Sequence, residues 1–290
     1  MIHTDINKRC GYIAIIGRPN AGKSTLLNAF LGLKVSITSA KPQTTQQQIL
    51  GIKSDDDCQF VFIDTPGMHV NAKFHNRQMN KAANAILKDV DVVLWVVDAT
   101  QTTLADQEMA QKLKSLDMPL IVALNKSDRL SHSTLFSLTE ELGVLLPKAE
   151  FVPCSAITQK NLELLLTVIK RHLPEQAFIY SDDLVTDRSE KFYAAEIIRE
   201  KLMRYTGSEL PYSSSVEVDQ YDIKNGIIHI YATVWIEKES HKPIIIGKNG
   251  ERLKIMSTAA RLDLEKFWDK KVFLKIWVKL KKPGFMPVVN

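Results

Sequence analysis

The sequence predicts two domains of different class: an α/β unit built on a mostly parallel sheet with helices on both faces, and then a smaller α+β unit. Three observations lead there. The chain has 290 residues, long for one small domain and sufficient for two separate cores. Four apolar runs, YIAII, QFVFID, VVLWVVDA and PLIVALN, alternate with helix-like stretches, the rhythm of strands buried on both faces and joined by helical crossovers. That rhythm stops after NLELLLTVIKRHL, where Pro174 and a polar stretch from Ser181 to Arg188 interrupt it.

Beyond the interruption, the pattern predicts a helix over Glu190–Tyr205, strands near 213–221 and 227–237, a glycine loop, further helical sequence and a last strand from Val272. The order is α-β-β-α-α-β. The expected division is a first domain over 1–175, a linker over 176–188 and a second domain over 189–290.

A composition of 45% hydrophobic and 24% charged residues is that of a globular chain rather than a disordered or fibrous one. Cys10, Cys58 and Cys154 lie far apart with no CxxC pair, which argues against a disulfide framework or a thiolate zinc site and for a reduced, cytosolic compartment. The N-terminus lacks an apolar signal core, and runs such as Val92 to Val97 are of strand length with flanking aspartates, so no membrane span is expected. The net charge is only +5, but its placement is uneven. From Lys238 onward there are 13 Lys and Arg against 5 Asp and Glu, so the basic excess sits in the second domain.

Residues 17–24 read GRPNAGKS, directly after YIAII and before STLLNAFL, the strand-loop-helix setting of a phosphate-binding loop. Backbone N–H groups converge on a phosphate only if the chain turns tightly, which Gly17 and Gly22 allow, and the helix N-terminus adds its dipole. The candidate contacts run through Gly17, Arg18, Pro19, Asn20, Ala21, Gly22, Lys23, Ser24 and Thr25. Lys23 supplies charge to the β- and γ-phosphates, and Ser24 offers a hydroxyl to Mg²⁺, a hard cation that prefers oxygen. Asp64 opens DTPG at the end of QFVFI, where its carboxylate emerges beside the metal; Thr65, Pro66, Gly67 and Met68 continue the contact, with Gly67 N–H near a γ-phosphate. Between these motifs KPQTTQQQ, from Lys41 to Gln48, reads as a polar loop in which Thr44 or Thr45 completes the Mg²⁺ shell. A loop held only through metal and γ-phosphate would be released on hydrolysis.

Asn125, Lys126, Ser127 and Asp128 read NKSD after PLIVAL. One carboxylate can pair with both the N1–H and the N2 amine of guanine, and adenine offers no such pair of donors. Asp128 is therefore the candidate for base choice. Ser155 and Ala156, in PCSA, follow a further short apolar segment, and their N–H groups are candidates for guanine O6.

GRPNAGKS, DTPGM and NKSD together resemble the GTPase superfamily, and SITSAKPQTT with DTPGMH resembles the Era-type family of bacterial GTPases. The resemblance runs from about Cys10 to Lys281. It implies a P-loop GTPase domain, assigns the metal-binding threonine to Thr45, with Ser24 and Asp64, and places Asn20, Lys23, Thr45 and Gly67 in catalysis. Met68 stands where Ras-like proteins carry a water-orienting glutamine. In relatives with a hydrophobic residue there, a P-loop asparagine binds K⁺, and Asn20 matches it; a slow, K⁺-stimulated hydrolase is the expectation. Gln46 departs from the arginine common in relatives, and the tail KKPGFMPVVN lacks the family's longer helical ending.

Residues 244–250 read IIIGKNG, a G-x-x-G loop between a hairpin and a helix with lysine inside, the fingerprint of a KH domain. Ile246, Gly247, Lys248, Asn249 and Gly250, with Arg252 and Lys254 beside them, are the candidate contacts to a single RNA strand. TDRSEKFYAAEIIREKLM and ELPYSSSVEV resemble the same family's second domain, implying a type II KH fold. In the last strand Val272, Leu274, Ile276, Val278 and Leu280 face one way and Phe273, Lys275, Trp277, Lys279 and Lys281 the other. That second face is either a solvated outer surface, the reading favoured here, or one that meets RNA.

The resemblance further implies GTP and GDP as ligands, binding near the 3′ end of 16S rRNA, maturation of the small (30S) ribosomal subunit, a monomer, and peripheral association with the inner membrane. Two rivals come from other classes. A metabolic P-loop kinase would need no NKSD and would prefer ATP, and a non-catalytic sensor would release intact GTP.

Overall fold

The computed structural model describes residues 8–36, 49–64, 89–206 and 214–281. They divide into two compact units that meet between Asp187 and Arg188. In the first, a six-stranded sheet has the order β2-β3-β1-β4-β5-β6, where β1 is Arg9–Ile16, β2 Ile49–Ser54, β3 Cys58–Asp64, β4 Val92–Asp98, β5 Leu120–Asn125 and β6 Glu150–Pro153. All neighbours are parallel except β2, which runs antiparallel to β3 at the edge.

The continuous apolar runs are explained by burial on both faces. Ile13, Ile15, Phe60, Phe62, Leu94, Val96, Ile121 and Ala123 pack with α1 (Lys23–Leu31) and α4 (Leu162–His172). Their strand neighbours Ala14, Ile16, Val93, Trp95, Val97, Val122 and Leu124 pack on the other side with α2 (Leu104–Leu113) and α3 (His132–Leu145). Period-two alternation along each strand thus supplies two cores from one apolar sequence. The order reverses at β1, which lies between β3 and β4, and at such a switch point the loops after the strands diverge and leave a crevice.

Residues 176–187, expected as linker, are part of the first unit. The buried Gln59 side chain of β3 accepts from the N–H groups of Ile179 and Tyr180, each at 2.9 Å, and donates to Tyr180 O at 2.9 Å and Ser54 Oγ at 3.0 Å. Ile52 N–H of β2 donates to Val185 O at 2.8 Å. Phe178, Tyr180 and Leu184 cover Cys10, Ile52 and Val61. A polar composition hid this because the segment docks through one buried amide and a few apolar side chains.

The second unit has the order α5 (Glu190–Tyr205), β7 (Ser214–Lys224), β8 (Ile227–Ile236), α6 (Lys242–Ile246), α7 (Glu251–Trp268) and β9 (Val272–Leu280). β7 and β8 form a hairpin closed by Asn225 and Gly226, both at positive φ (52° and 77°), as a two-residue turn between right-twisted strands requires. β9 joins β8 in parallel as an edge strand. One sheet face, with Val216, Val218, Ile230, Ala232, Val234, Ile276 and Val278, packs on Ile197, Ile198 and Leu202 of α5 and Met256, Ala260 and Leu264 of α7. Leu280, expected inward, is exposed at the strand's end. Among the described residues no helix is long and apolar enough to cross a membrane.

Replacing Gln59 by leucine should cost about 2 kcal/mol, since it removes three part-buried hydrogen bonds to the backbone of Ile179 and Tyr180. Denaturant unfolding checks the magnitude, and faster chymotryptic cleavage after Phe178 or Tyr180 in the native variant checks that the segment is what it releases.

Candidate functional site

The carboxyl ends of β1, β3, β4, β5 and β6 all open on the same side of the first unit, so the residues after each strand converge. After Ile16 the chain turns through Gly17, Arg18, Pro19, Asn20, Ala21 and Gly22 into α1. Gly22 has φ 100°, and a Cβ there would lie 2.2 Å from Asn125 Nδ2, so conformation and close approach both require glycine. α1 begins with no side-chain cap and no acid in its first turn, leaving its N–H groups and dipole open to an anion. Thr25 follows Ser24 in that turn and is half-buried.

Lys23 is buried, donating from Nζ to Gly17 O at 2.9 Å and Arg18 O at 2.8 Å, so the ammonium is folded back over the loop. Burial pushes it down to about 8; Asp64 pulls it up, and Arg18 adds to the depression. Ser24 Oγ donates to Asp64 Oδ2 at 3.0 Å, and so does Ser36 Oγ at the same distance. Asp64 is wholly buried at the end of β3. Hydroxyl and carboxylate oxygens brought together beside an open helix N-terminus fit Mg²⁺, whose remaining ligands are commonly phosphate oxygens and water. Thr45, the third expected metal ligand, and Thr65, Pro66, Gly67 and Met68 lie outside the described residues, as do residues 41–48.

Asn125 joins the phosphate loop to the loops after β5 and β6. Its buried carboxamide donates to Ala21 O at 2.8 Å and accepts from Ala156 N–H at 3.0 Å. Lys126, in the left-handed region at φ 63°, donates to Asn20 O at 3.0 Å and to Asp98 Oδ2 at 2.5 Å. Burial raises the Asp98 carboxyl, but hydrogen bonds from Lys126 and Thr100 outweigh it and hold the group below its ordinary value. Ser127 is buried, its N–H donating to Cys154 O at 3.0 Å. Asp128 alone of the four is exposed, and among the described residues no hydrogen bond or ion pair occupies its carboxylate.

The Ser155 and Ala156 amides, expected to meet guanine O6, are both engaged within the protein. Ser155 N–H donates to Lys160 O at 3.1 Å, and Ala156 N–H to Asn125. Contact with O6 therefore requires an exchange of these bonds. The Arg18 side chain is likewise engaged, by Asp106 Oδ1 at 2.7 Å and Gln101 O at 2.5 Å; only its backbone belongs to the loop. Three supporting residues escaped the sequence reading. Asp98 could have been found as an aspartate ending a buried strand. Ser36, held by Asn28 through both its N–H (2.8 Å) and its carbonyl (2.6 Å), and Asp106 in α2 carry no motif.

In the second unit, α6 ends in Ile246, and Gly247 (φ 74°), Lys248, Asn249 (φ 51°) and Gly250 (φ 80°) turn the chain into α7. A Cβ on Gly247 would lie 2.8 Å from Arg252 Cβ, which ties the sharpness of the turn to the helix behind it. Lys248 and Asn249 are exposed at its tip, and Lys254 is exposed one turn into α7. Arg252 instead folds back to Ile244 O at 2.5 Å, so it acts on the loop's shape as well as its charge.

Comparison with known proteins gives the same two parts. Residues 12–126 match a family model described as 50S ribosome-binding GTPase, and residues 209–285 match one for the KH domain. GTPase Era of Pseudomonas putida (strain W619) is 49% identical over 275 residues, covering 94% of this chain and 92% of the relative. That of Pseudomonas aeruginosa (strain LESB58) is 48% identical over 284 residues, covering 97% and 93%. Among solved structures, a variant of Aquifex aeolicus Era bound to GDP·AlF4⁻ superposes with a TM-score of 0.88 at 37% identity over 94% of both chains. Era in complex with MgGDPNP and nucleotides 1506–1542 of 16S ribosomal RNA does so with 0.88 at 38%, again over 94% of both. With both domains matched in order and nearly the full length shared, the chain belongs to the Era family of GTPases.

Proposed function

We propose that this chain is a slow GTP-hydrolysing switch that binds 16S rRNA near its 3′ end through the second domain and assists maturation of the small ribosomal subunit. The observation that carries the nucleotide half is the state of the four residues after β5. Asn125 and Lys126 are tied to the phosphate loop and Ser127 to Cys154, and Asp128 is left with an exposed carboxylate that no described residue engages. A turn so fixed presents one acceptor pair at a set distance from the phosphates, which suits guanine's two donors. The cytoplasm, where ribosomal subunits are assembled, is the compartment this role implies.

In this reading the amides of residues 17–22 and the first turn of α1 cradle the phosphates. Lys23 exchanges its two carbonyl partners for phosphate oxygens, which costs little because the ammonium is already desolvated. Ser24, Asp64 and Thr45 hold Mg²⁺, which when bound neutralises charge on the β- and γ-phosphates. Gly67 offers an N–H to the γ-phosphate, and its loss on hydrolysis releases the loops. With Met68 in place of a water-orienting glutamine, Asn20, exposed at the rim of the loop, offers its amide oxygen to K⁺, whose charge stands in for an arginine finger. In the second domain, Gly247 and Gly250 let the backbone approach a single strand, Ile246 backs the turn, and Lys248, Asn249, Arg252 and Lys254 supply charge and hydrogen bonds. The likeness to a relative solved with 16S rRNA nucleotides supports the choice of RNA.

Asp128→Ala should weaken GTP at least about a hundred-fold, because the guanine donors lose a charged acceptor. Asp128→Asn should shift preference to xanthosine triphosphate, which carries an acceptor where guanine carries its amine. Competition binding with GTP, ATP and XTP checks both; an unchanged preference for guanosine, or ATP displacing GTP in the parent chain, sinks the reading.

Lys23 titrates near 8 in the free protein and must rise when a triphosphate surrounds it. The bound state then holds more protons than the free state above pH 8, so GTP affinity should be flat below that pH and fall as pH rises through it. Calorimetry in buffers of different ionisation enthalpy should show proton uptake on binding at pH 8.5 and little at pH 7.

Single-turnover hydrolysis should be faster in potassium than in sodium buffer, and Asn20→Ala should abolish the difference. Equal rates in the two salts remove Asn20 from catalysis without touching the guanine assignment.

A further inference from the structure

The sheet of the second unit has two faces, and only one is used by the fold. On the other, β8 presents His229, Tyr231, Thr233 and Trp235, paired in register with Phe273, Lys275, Trp277 and Lys279 of β9. The rings form one connected surface. His229 and Phe273 lie 5.3 Å apart, Tyr231 and Phe273 5.9 Å, and Tyr231 and Trp277 5.9 Å with planes 19° from parallel. Phe273 is 46% exposed and Trp277 37%. Such rings in water are unfavourable unless something covers them or they are too scattered to matter, and these are contiguous.

The charges on this face are arranged in a particular way. Three carboxylates of β7 share this face and each has a local partner: Glu217 accepts from Trp235 Nε1 at 2.7 Å, Asp219 from Thr233 Oγ1 at 2.8 Å, and Asp222, opposite His229, accepts from Gln220 and lies 3.8 Å from Lys224 Nζ. Lys275 and Lys279 have no ion pair among the described residues. Their ammonium groups sit over Trp277 at 5.1 and 5.8 Å, and Lys279 also lies 5.6 Å from the Trp235 ring. Cations so placed are attracted by the rings but not paired by them, and remain able to pair with a phosphate. A protein partner is disfavoured because the cores of protein interfaces are depleted in lysine, whereas alternating rings and cations along an extended track match a strand of bases and phosphates. β8 and β9 carry this track for roughly 20 Å.

We propose that this outer sheet face is a second binding surface for single-stranded RNA, taking bases on Phe273, Tyr231 and Trp277 and phosphates on Lys275 and Lys279. It is distinct from the G-x-x-G loop, which belongs to the helical side of the same unit, since the inward strand residues Val272, Ile276 and Val278 pack on that side. The two surfaces would let one domain hold two stretches of a strand, or two strands, with the second contact indifferent to sequence.

The test uses the full chain and a fluorescein-labelled oligouridylate about a dozen nucleotides long, followed by anisotropy. Lys248→Asp with Asn249→Asp disables the loop, and this variant should still bind. Adding Phe273→Ala and Trp277→Ala should then weaken binding about ten-fold or more, the loss of base stacking. Lys275→Gln with Lys279→Gln, a gentler pair for the fold, should lower the slope of log affinity against log salt by roughly 1.4; melting temperatures confirm that each variant is folded. Loss of all binding in the loop variant overturns the proposal and leaves the loop as the RNA site. Unchanged affinity and salt slope in the folded sheet-face variants overturn it too, and if they also abolish a self-association seen by sedimentation, the face is a protein interface. A parent chain that binds no RNA overturns the RNA half of the proposed function with it.

Discussion

The carboxamide of Asn125 is buried between two loops that share no sequence neighbourhood, donating to the carbonyl of Ala21 and accepting from the amide of Ala156. An amide can do this because it carries a donor and an acceptor on one rigid plane; no other side chain of its size serves both partners at once. The phosphate loop, the turn that carries Asp128 and the loop after β6 are thereby held in one register. Gly22 fits against the same amide, which is why a Cβ there would collide with it. Lys126 Nζ, donating to Asn20 O, adds a second tie between the first two of these loops.

Around that fixed frame the charges are held under tension. Lys23 and Asp64 are both buried, and each satisfies itself with the nearest neutral groups, two carbonyls for the cation and two serine hydroxyls for the anion. Burial depresses the ammonium of Lys23 and Arg18 adds to the depression, while the Asp64 carboxylate partly offsets it. Under the proposed function, a triphosphate with its metal would replace these neutral partners by charged ones at groups that are already desolvated.

The docked segment 176–187 gives the first unit a further property. It is fastened to β2 and to β3, which ends at Asp64, and it leads directly into Arg188 and the second unit. Gln59 performs for this segment what Asn125 performs for the nucleotide loops: one buried amide satisfies several backbone groups of a strand-free stretch. Both devices place a polar side chain in an apolar setting, where its hydrogen bonds are strong and its loss is costly.

The sequence by itself determined the parallel strands of the first unit, the phosphate loop, the turn of residues 125–128 and the order of elements in the second unit. Each of these is set by local rules: period-two burial for YIAII or VFLKIWV, glycine where φ must be positive, Asn-Gly where a hairpin must close. The edge strand β2 escaped because, paired on one side only, it needs no long apolar run. What only the tertiary structure decided is who meets whom. Arg18 is engaged by Asp106, Ser36 shares Asp64, the Ser155 and Ala156 amides are already engaged, and a polar segment that reads as linker is fixed on the sheet. These contacts join residues tens of positions apart through single hydrogen bonds, and a hydrogen bond imposes no period on the sequence; only the folded chain, by bringing the partners within reach, selects among the many that could have formed.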